Sequence, residues 1–270
     1  MQFGLPELTD NDRGFSSLCV IWEIGDASMD GLQGAMTQAL EESEIERCNT
    51  LVLEKDRKRY LCSHFLRRVL LSKLTGSPMS EIAFSKGSHG KPFVSEGERW
   101  CTAGKWHFNT SSSGSRIAFI ATTPGQCGID IERVPDEQSL PDLAEMAQTK
   151  VFSSAEREFL MSGPGSLTER FYRLWTLKEA YLKYIGQGLG GIEQTDLFNV
   201  LDFGQPLPDG WLVALSGELA AYHFIEEHYA FSAVVSGKQS VLQVHMLNDE
   251  QVFSLAKGTS TRERKSDTNA

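Results

Sequence analysis

The chain has 270 residues, 40% of them hydrophobic and 23% charged, with 26 Lys and Arg against 36 Asp and Glu for a net charge of −10. A chain of this length and composition can bury one large or two small cores, which excludes widespread disorder. The acidic balance argues against a general nucleic-acid binder, which would carry a basic face.

In chain order, residues 1–14 are polar and expected to be loosely held. Ser17 to Gly25 reads as a strand rich in β-branched and aromatic residues. A helix is predicted from Glu54 to Leu74. Leu61, Phe65 and Val69, and again Leu66, Leu70 and Leu74, recur at spacing four, and Gly76 ends it. Short strands follow at Ile82–Ser85, Trp106–Asn109, Arg116–Ala121 and Gly128–Val134. A second long helix runs from Thr168 to Ile185 and closes on Gly186. Strands at Trp211–Ala214, Tyr222–Ile225 and Tyr229–Val235 complete the pattern. From Lys257 onward the sequence is polar and aperiodic, as in a disordered tail.

The five cysteines form no CxxC pair and read as free thiols in a reducing cytosol, not as a zinc or redox site. No apolar run approaches the roughly 18 residues of a membrane span. The N-terminus, with early acids and no apolar stretch, does not read as a signal peptide. The expectation is a cytoplasmic protein with neither membrane nor nucleic-acid partners.

The two halves resemble each other. Phe65-x-x-Arg68-x-x-Leu71-x-Lys73-x-x-Gly76 aligns with Trp175-x-x-Lys178-x-x-Tyr181-x-Lys183-x-x-Gly186 at an offset of 110, and Ile117-Ala-Phe119 aligns with Tyr229-Ala-Phe231 at 112. Together these favour a duplicated α+β unit with a cleft between the copies. The predicted fold class is α+β, with halves at 1–126 and 127–255 and a tail at 256–270.

Asp130 and Glu132 alternate with Ile129 and Ile131, so on a strand both carboxylates share one face. Mg²⁺ takes hard oxygen ligands of this kind. A solvated acidic face accounts for the strand pattern at least as well. Glu179 tips the balance, because Phe171, Trp175, Glu179 and Leu182 fall on one helical stripe. A carboxylate on an apolar stripe needs a compensating cation or metal. Residues 55–73 hold seven Lys and Arg against one acid, Asp56, a local reversal suited to an anionic ligand. Lys91 adds a cation on a stiff turn. Ser111 to Gly114 reads as a tight bend able to cradle a phosphate. Neither GxSxG nor GxxxxGK[ST] occurs, and the six histidines show no metal-ligand spacing, so a serine hydrolase or P-loop enzyme has no support.

Taken in order, GKP (90–92), FNTSSSG (108–114), GIDIE (128–132) and WTLKEAYLKYIGQGL (175–189) resemble the 4′-phosphopantetheinyl transferases of the surfactin-synthetase type, across roughly residues 45–235. The resemblance implies a pseudo-dimer of two similar α+β halves with the active site between them. It implies transfer of the phosphopantetheine arm of coenzyme A to a serine of an acyl or peptidyl carrier protein, releasing adenosine 3′,5′-bisphosphate. Nucleotide contacts would come mainly from the first half, and metal and transfer motifs from the second.

By the same resemblance Asp130, Glu132 and Glu179 would hold Mg²⁺, with Mn²⁺ an alternative, and Glu179 would also serve as base. Lys183 matches a lysine that contacts the phosphates, with Lys178 its neighbour in the motif. Arg68 and Lys91 match residues near the adenine nucleotide. Pro92 belongs to the same GKP motif, and Arg47 and Arg59 are looser matches. Ser111 matches the serine of the family's SH[ST]G turn. Ser112 stands where the family usually has His and cannot carry its positive charge; His89 is a possible substitute. A monomer suffices if both halves form one cleft. Two other readings follow from the same residues: a non-catalytic relative that binds coenzyme A or a carrier, and a Mg²⁺-dependent nucleotide pyrophosphate hydrolase.

Overall fold

A computed structural model describes residues 9–10, 16–25, 36, 39–95, 106–136, 142–203, 211–213, 217–237 and 242–260. Most of the N-terminal 14 residues, Cys101 and the stretch 261–270 lie outside these. Two sheets lie between two long helices. In the first sheet β1 (Thr9–Asp10), β2 (Ser16–Glu23), β6 (Arg116–Thr123) and β5 (His107–Ser113) run in that spatial order, with β11 (Val244–Leu247) also on β2. In the second the order is β7 (Cys127–Arg133), β10 (Tyr229–Ser236), β9 (Leu219–Glu226) and β8 (Trp211–Val213). A separate hairpin pairs β3 (Phe84–Lys86) with β4 (Pro92–Val94).

Strand alternation explains why the inner strands are buried on both sides. Leu18, Val20 and Trp22 of β2 and Ile117, Phe119 and Ala121 of β6 face helix α2 (Glu54–Thr75). Cys19 and Ile21, with Ala118 and Ile120, point the other way into a layer shared with Ile129, Ile131, Phe231 and Val235 of the second sheet. The outer faces of β9 and β10 pack on α5 (Leu167–Ile185), where Leu174, Leu177 and Ala180 are fully buried. Short helices α1 (Glu42–Asn49), α3 (Leu143–Ala147) and α4 (Ser154–Ser162) flank the long ones.

The duplication is visible in topology. The order β2-β6-β5 in one half repeats as β7-β10-β9 in the other, each with its long helix on the outer face. Both helices end alike, because Gly76 and Gly186 adopt the left-handed conformation at φ 72° and 74° and bond back to Ser72 and Leu182.

The C-terminal segment departs from the expected division. β11 runs parallel to β2, and α6 (Asp249–Ser260) packs against α2, so residues 244–260 complete the first half instead of extending the second. Asp249 secures this return by accepting from the Trp22 indole at 2.8 Å. The helix runs past Lys257, where a disordered tail was expected. Val252 and Leu255 on its inner face are wholly buried, and that burial offsets the cost of ordering a polar end.

Candidate active site

The sheets meet along one edge, where β5 lies beside β7. Alternation places Asn109, Ser111 and Ser113 on a single side of β5, facing β7. Asn109 Oδ1 accepts from the Ile129 N–H at 3.1 Å and Ser113 Oγ from the Arg133 N–H at 3.0 Å, satisfying backbone donors on the edge of β7. Ser111 Oγ donates to Asp130 Oδ1, and Ser113 Oγ to Glu132 Oε2, each at 2.8 Å. Ser111 to Ser113 are therefore strand and not a bend, since the turn comes only at Gly114 and Ser115. What they supply is hydroxyls that orient two carboxylates. The period-two spacing Asn-x-Ser-x-Ser was the signal for this role.

Helix α5 supplies the third acid. It crosses β7 at Gly128, where an added Cβ would lie 2.0 Å from the Ala180 carbonyl oxygen and 2.4 Å from the Tyr184 nitrogen. This close approach lets Glu179 and Lys183 reach the acidic face. Ligand oxygens of Asp130, Glu132 and Glu179 all lie within 4.8 Å of one another. Lys183 Nζ donates to Asp130 Oδ1 at 2.5 Å and to Ser111 Oγ at 3.0 Å, and stands 3.4 Å from Glu179 Oε2. The stripe read from sequence is real, with Phe171 stacked on Trp175 at 6.2 Å and Leu182 buried.

The charges feel one another. Burial, and then the charge of Asp130, push the Glu179 carboxyl up to about 7. The same two causes raise Glu132, against hydrogen bonding from Ser113 and Trp175. Burial disfavours the Lys183 ammonium, but Asp130 and Glu179 overcome it and hold its pKa above the ordinary range.

The donor set fits a divalent metal. Asp130 is 1% exposed, and its Oδ2 has no hydrogen-bond partner among the described residues. A buried carboxylate oxygen left unpartnered in a cluster of three carboxylates calls for a cation. Three hard oxygen ligands suit Mg²⁺ or Mn²⁺.

Comparison with known proteins agrees with this geometry. The profile of the 4′-phosphopantetheinyl transferase superfamily matches residues 126–234, and that of the 4′-phosphopantetheinyl transferase N-terminal region matches 27–124. A mouse L-aminoadipate-semialdehyde dehydrogenase-phosphopantetheinyl transferase is 29% identical over 73% of this chain and 67% of its own. A Bacillus subtilis 4′-phosphopantetheinyl transferase is 29% identical over 67% of this chain and 76% of its own. A Synechocystis protein provisionally named a 4′-phosphopantetheinyl transferase is 31% identical over 63% of this chain and 67% of its own. The chain belongs to the 4′-phosphopantetheinyl transferase superfamily. It spans about two thirds of the length of the curated relatives it matches.

Within this superfamily member the remaining expected site residues lie in different settings. Lys91 reaches from the first half to the second, its ammonium bonded to the Cys127 carbonyl at 2.9 Å and the Tyr184 carbonyl at 3.3 Å, and Pro92 starts β4 beside it. Ser112 lies on the opposite side of β5 from Ser111, sharing the face of Phe108. Arg47 is exposed and bonded to Thr50, while Arg59 pairs with Asp56 at 2.8 Å. His89 is exposed and bonded to Ser88.

Two expectations need correction. Lys178 is wholly buried against Glu156 at 2.6 Å and donates to the Val151 carbonyl, so it faces the second core and not the three clustered carboxylates. One residue along a helix is a turn of about 100°, which separates it from Glu179. Arg68 is 1% exposed and held by Glu44 at 2.6 Å, Glu41 at 3.1 Å and the Ile82 carbonyl. It belongs to a buried ionic cluster with Arg67 and His64, in which both guanidiniums lie over Phe84. Nothing in the local spacing of the basic run marked these two arginines as internal.

Proposed function

We propose that this chain transfers the 4′-phosphopantetheine arm of coenzyme A to a serine hydroxyl of an apo acyl or peptidyl carrier protein, releasing adenosine 3′,5′-bisphosphate. The observation that carries the reading is the convergence of Asp130, Glu132, Glu179 and Lys183 beneath the serine edge of β5. The relatives named as phosphopantetheinyl transferases support the same chemistry. The surfactin-synthetase type, a cytoplasmic monomer, is the proposed subclass, since two halves of one chain already frame the cleft.

In this mechanism Asp130, Glu132 and Glu179 would hold Mg²⁺, or Mn²⁺ in its place. When bound, such an ion neutralises pyrophosphate charge and polarises the phosphorus under attack. Ser111 and Ser113 keep two of the carboxylates aimed. Lys183, with 27% of its side chain exposed, binds a phosphate oxygen in the cleft. Glu179 takes the proton from the incoming serine. The serine Oγ then bonds to the pantetheine-side phosphorus. The bond from that phosphorus to the bridging oxygen breaks, and its electron pair leaves on the nucleotide. Alignment and charge neutralisation do most of the work in such a transfer.

Intact-mass analysis of an apo carrier incubated with the protein, coenzyme A and Mg²⁺ tests the proposal. The expected result is a gain of one phosphopantetheine arm, lost in EDTA. Coenzyme A binding with no gain on any fatty-acid or peptide-synthetase carrier would overturn it and favour a non-catalytic binding protein. Free phosphopantetheine released without a carrier would instead favour the hydrolase.

A further inference from the structure

Lys183 touches two of the carboxylates that a metal ion would use. Its ammonium shares Asp130 Oδ1 with Ser111 and lies 3.4 Å from Glu179 Oε2. Among the described residues three carboxylates and this one ammonium make up the cluster, so Lys183 is its internal neutralising charge. A positive charge this close repels a divalent cation entering the same carboxylates. Yet Lys183 is not required to aim Asp130, because Ser111 holds the same oxygen at 2.8 Å. Lys183 is also the more exposed of the two partners. It keeps 27% of its side chain exposed on a flexible four-carbon stem, whereas Asp130 is 1% exposed.

We infer that Lys183 is a built-in counter-cation that weakens metal binding until an anionic phosphate in the cleft draws its ammonium away. The metal ion and the pyrophosphate-bearing substrate then bind as a coupled pair, each tightening the other by the same factor. This rests on the metal and coenzyme A reading of the site. It adds an order to the assembly: the metal alone binds weakly, and the two together bind tightly.

Mn²⁺ titration of the full chain, followed by the loss of the free-ion paramagnetic resonance signal, tests the inference with and without coenzyme A. Lys183→Met removes the charge and keeps the length; Lys183→Gln is the second variant should the first misfold. Mn²⁺ alone is expected to bind the neutral variants at least tenfold more tightly than the parent, about 1.4 kcal/mol. The tightening caused by coenzyme A, large in the parent, should shrink by a similar factor. Lys183→Arg keeps the charge and should bind Mn²⁺ alone as weakly as the parent. Neutral variants that bind Mn²⁺ no better than the parent would refute the counter-cation role, while coenzyme A-dependent Mn²⁺ binding in the parent would leave the site reading intact. A parent that binds no Mn²⁺ even with coenzyme A would overturn both.

Discussion

Gly128→Ala tests whether the contact between α5 and β7 places the catalytic groups. An added Cβ would meet the Ala180 carbonyl oxygen at 2.0 Å, the Tyr184 nitrogen at 2.4 Å and the Tyr184 Cα at 2.9 Å. All three are backbone atoms, so no side-chain rotamer relieves the clash. Ordinary contact begins near 3.4 Å, so α5 must retreat by about 1.4 Å at its closest point. Glu179 precedes Ala180 and Lys183 precedes Tyr184, so both groups ride on the displaced stretch, while Asp130 and Glu132 stay on the strand. Overpacking of this kind costs about 1–3 kcal/mol, and a misplacement of about 1 Å costs roughly 10²-fold in rate. The variant should therefore fold, melt several degrees lower, and load an apo carrier about 100-fold more slowly at saturating coenzyme A. Gly190→Ala is the control, because a Cβ there meets nothing within 4 Å and the rate should hold. Parental rate and melting temperature in Gly128→Ala would refute the claim that this crossing sets the site.

Other substitutions probe separate parts of the argument. Glu179→Gln keeps the shape but removes the base, so carrier loading should fall by about 10²–10⁴-fold with the circular dichroism spectrum unchanged. Asp130→Ala should abolish loading without unfolding the chain, and a fully active variant would contradict the metal assignment. Lys178→Met leaves the fully buried Glu156 without its cation, a loss of about 3–5 kcal/mol, seen as a melting temperature lower by on the order of 10 °C. Burial works to raise the Glu44 carboxyl, but hydrogen bonds from His64 and Arg68 dominate and hold it well below the usual carboxylate range. Its contribution is complete above the unfolded value of about 4.3 and is lost as the pH falls further. Urea titrations of Glu44→Gln and the parent should differ most above pH 5, with the gap narrowing steadily as the pH falls below 4, and a gap that widens in acid would refute this account.

Much of the fold was legible because its elements are dictated by local spacing. Phe65, Leu66, Val69 and Leu70 recur at helical intervals and are all fully buried, and Gly76 and Gly186 end their helices by a conformation that glycine adopts without strain. The repeat at an offset of 110 marks two halves in the sequence itself. The alternation in GIDIE likewise put Asp130 and Glu132 on one face. Local spacing cannot say which charges meet across the chain. Lys178 and Lys183 belong to one motif on one helix, yet one is sealed against Glu156 and the other meets Asp130. Arg68 reads as a surface cation until Glu44, 24 positions earlier, neutralises it inside the first half. The basic run from Lys55 to Lys73 was thus divided by tertiary packing into surface charges and buried ones.

The sequence by itself determined the two helices, their caps, the repeat and the carboxylate pair, because each follows from neighbours within a few residues. Only the tertiary structure decided that β11 and α6 return to the first half, that the serines of β5 aim the acids of β7, and that Lys183 and not Lys178 faces them. Those outcomes depend on which sheet edges and helix faces come together, and side-chain charge is settled by the partner it finds there.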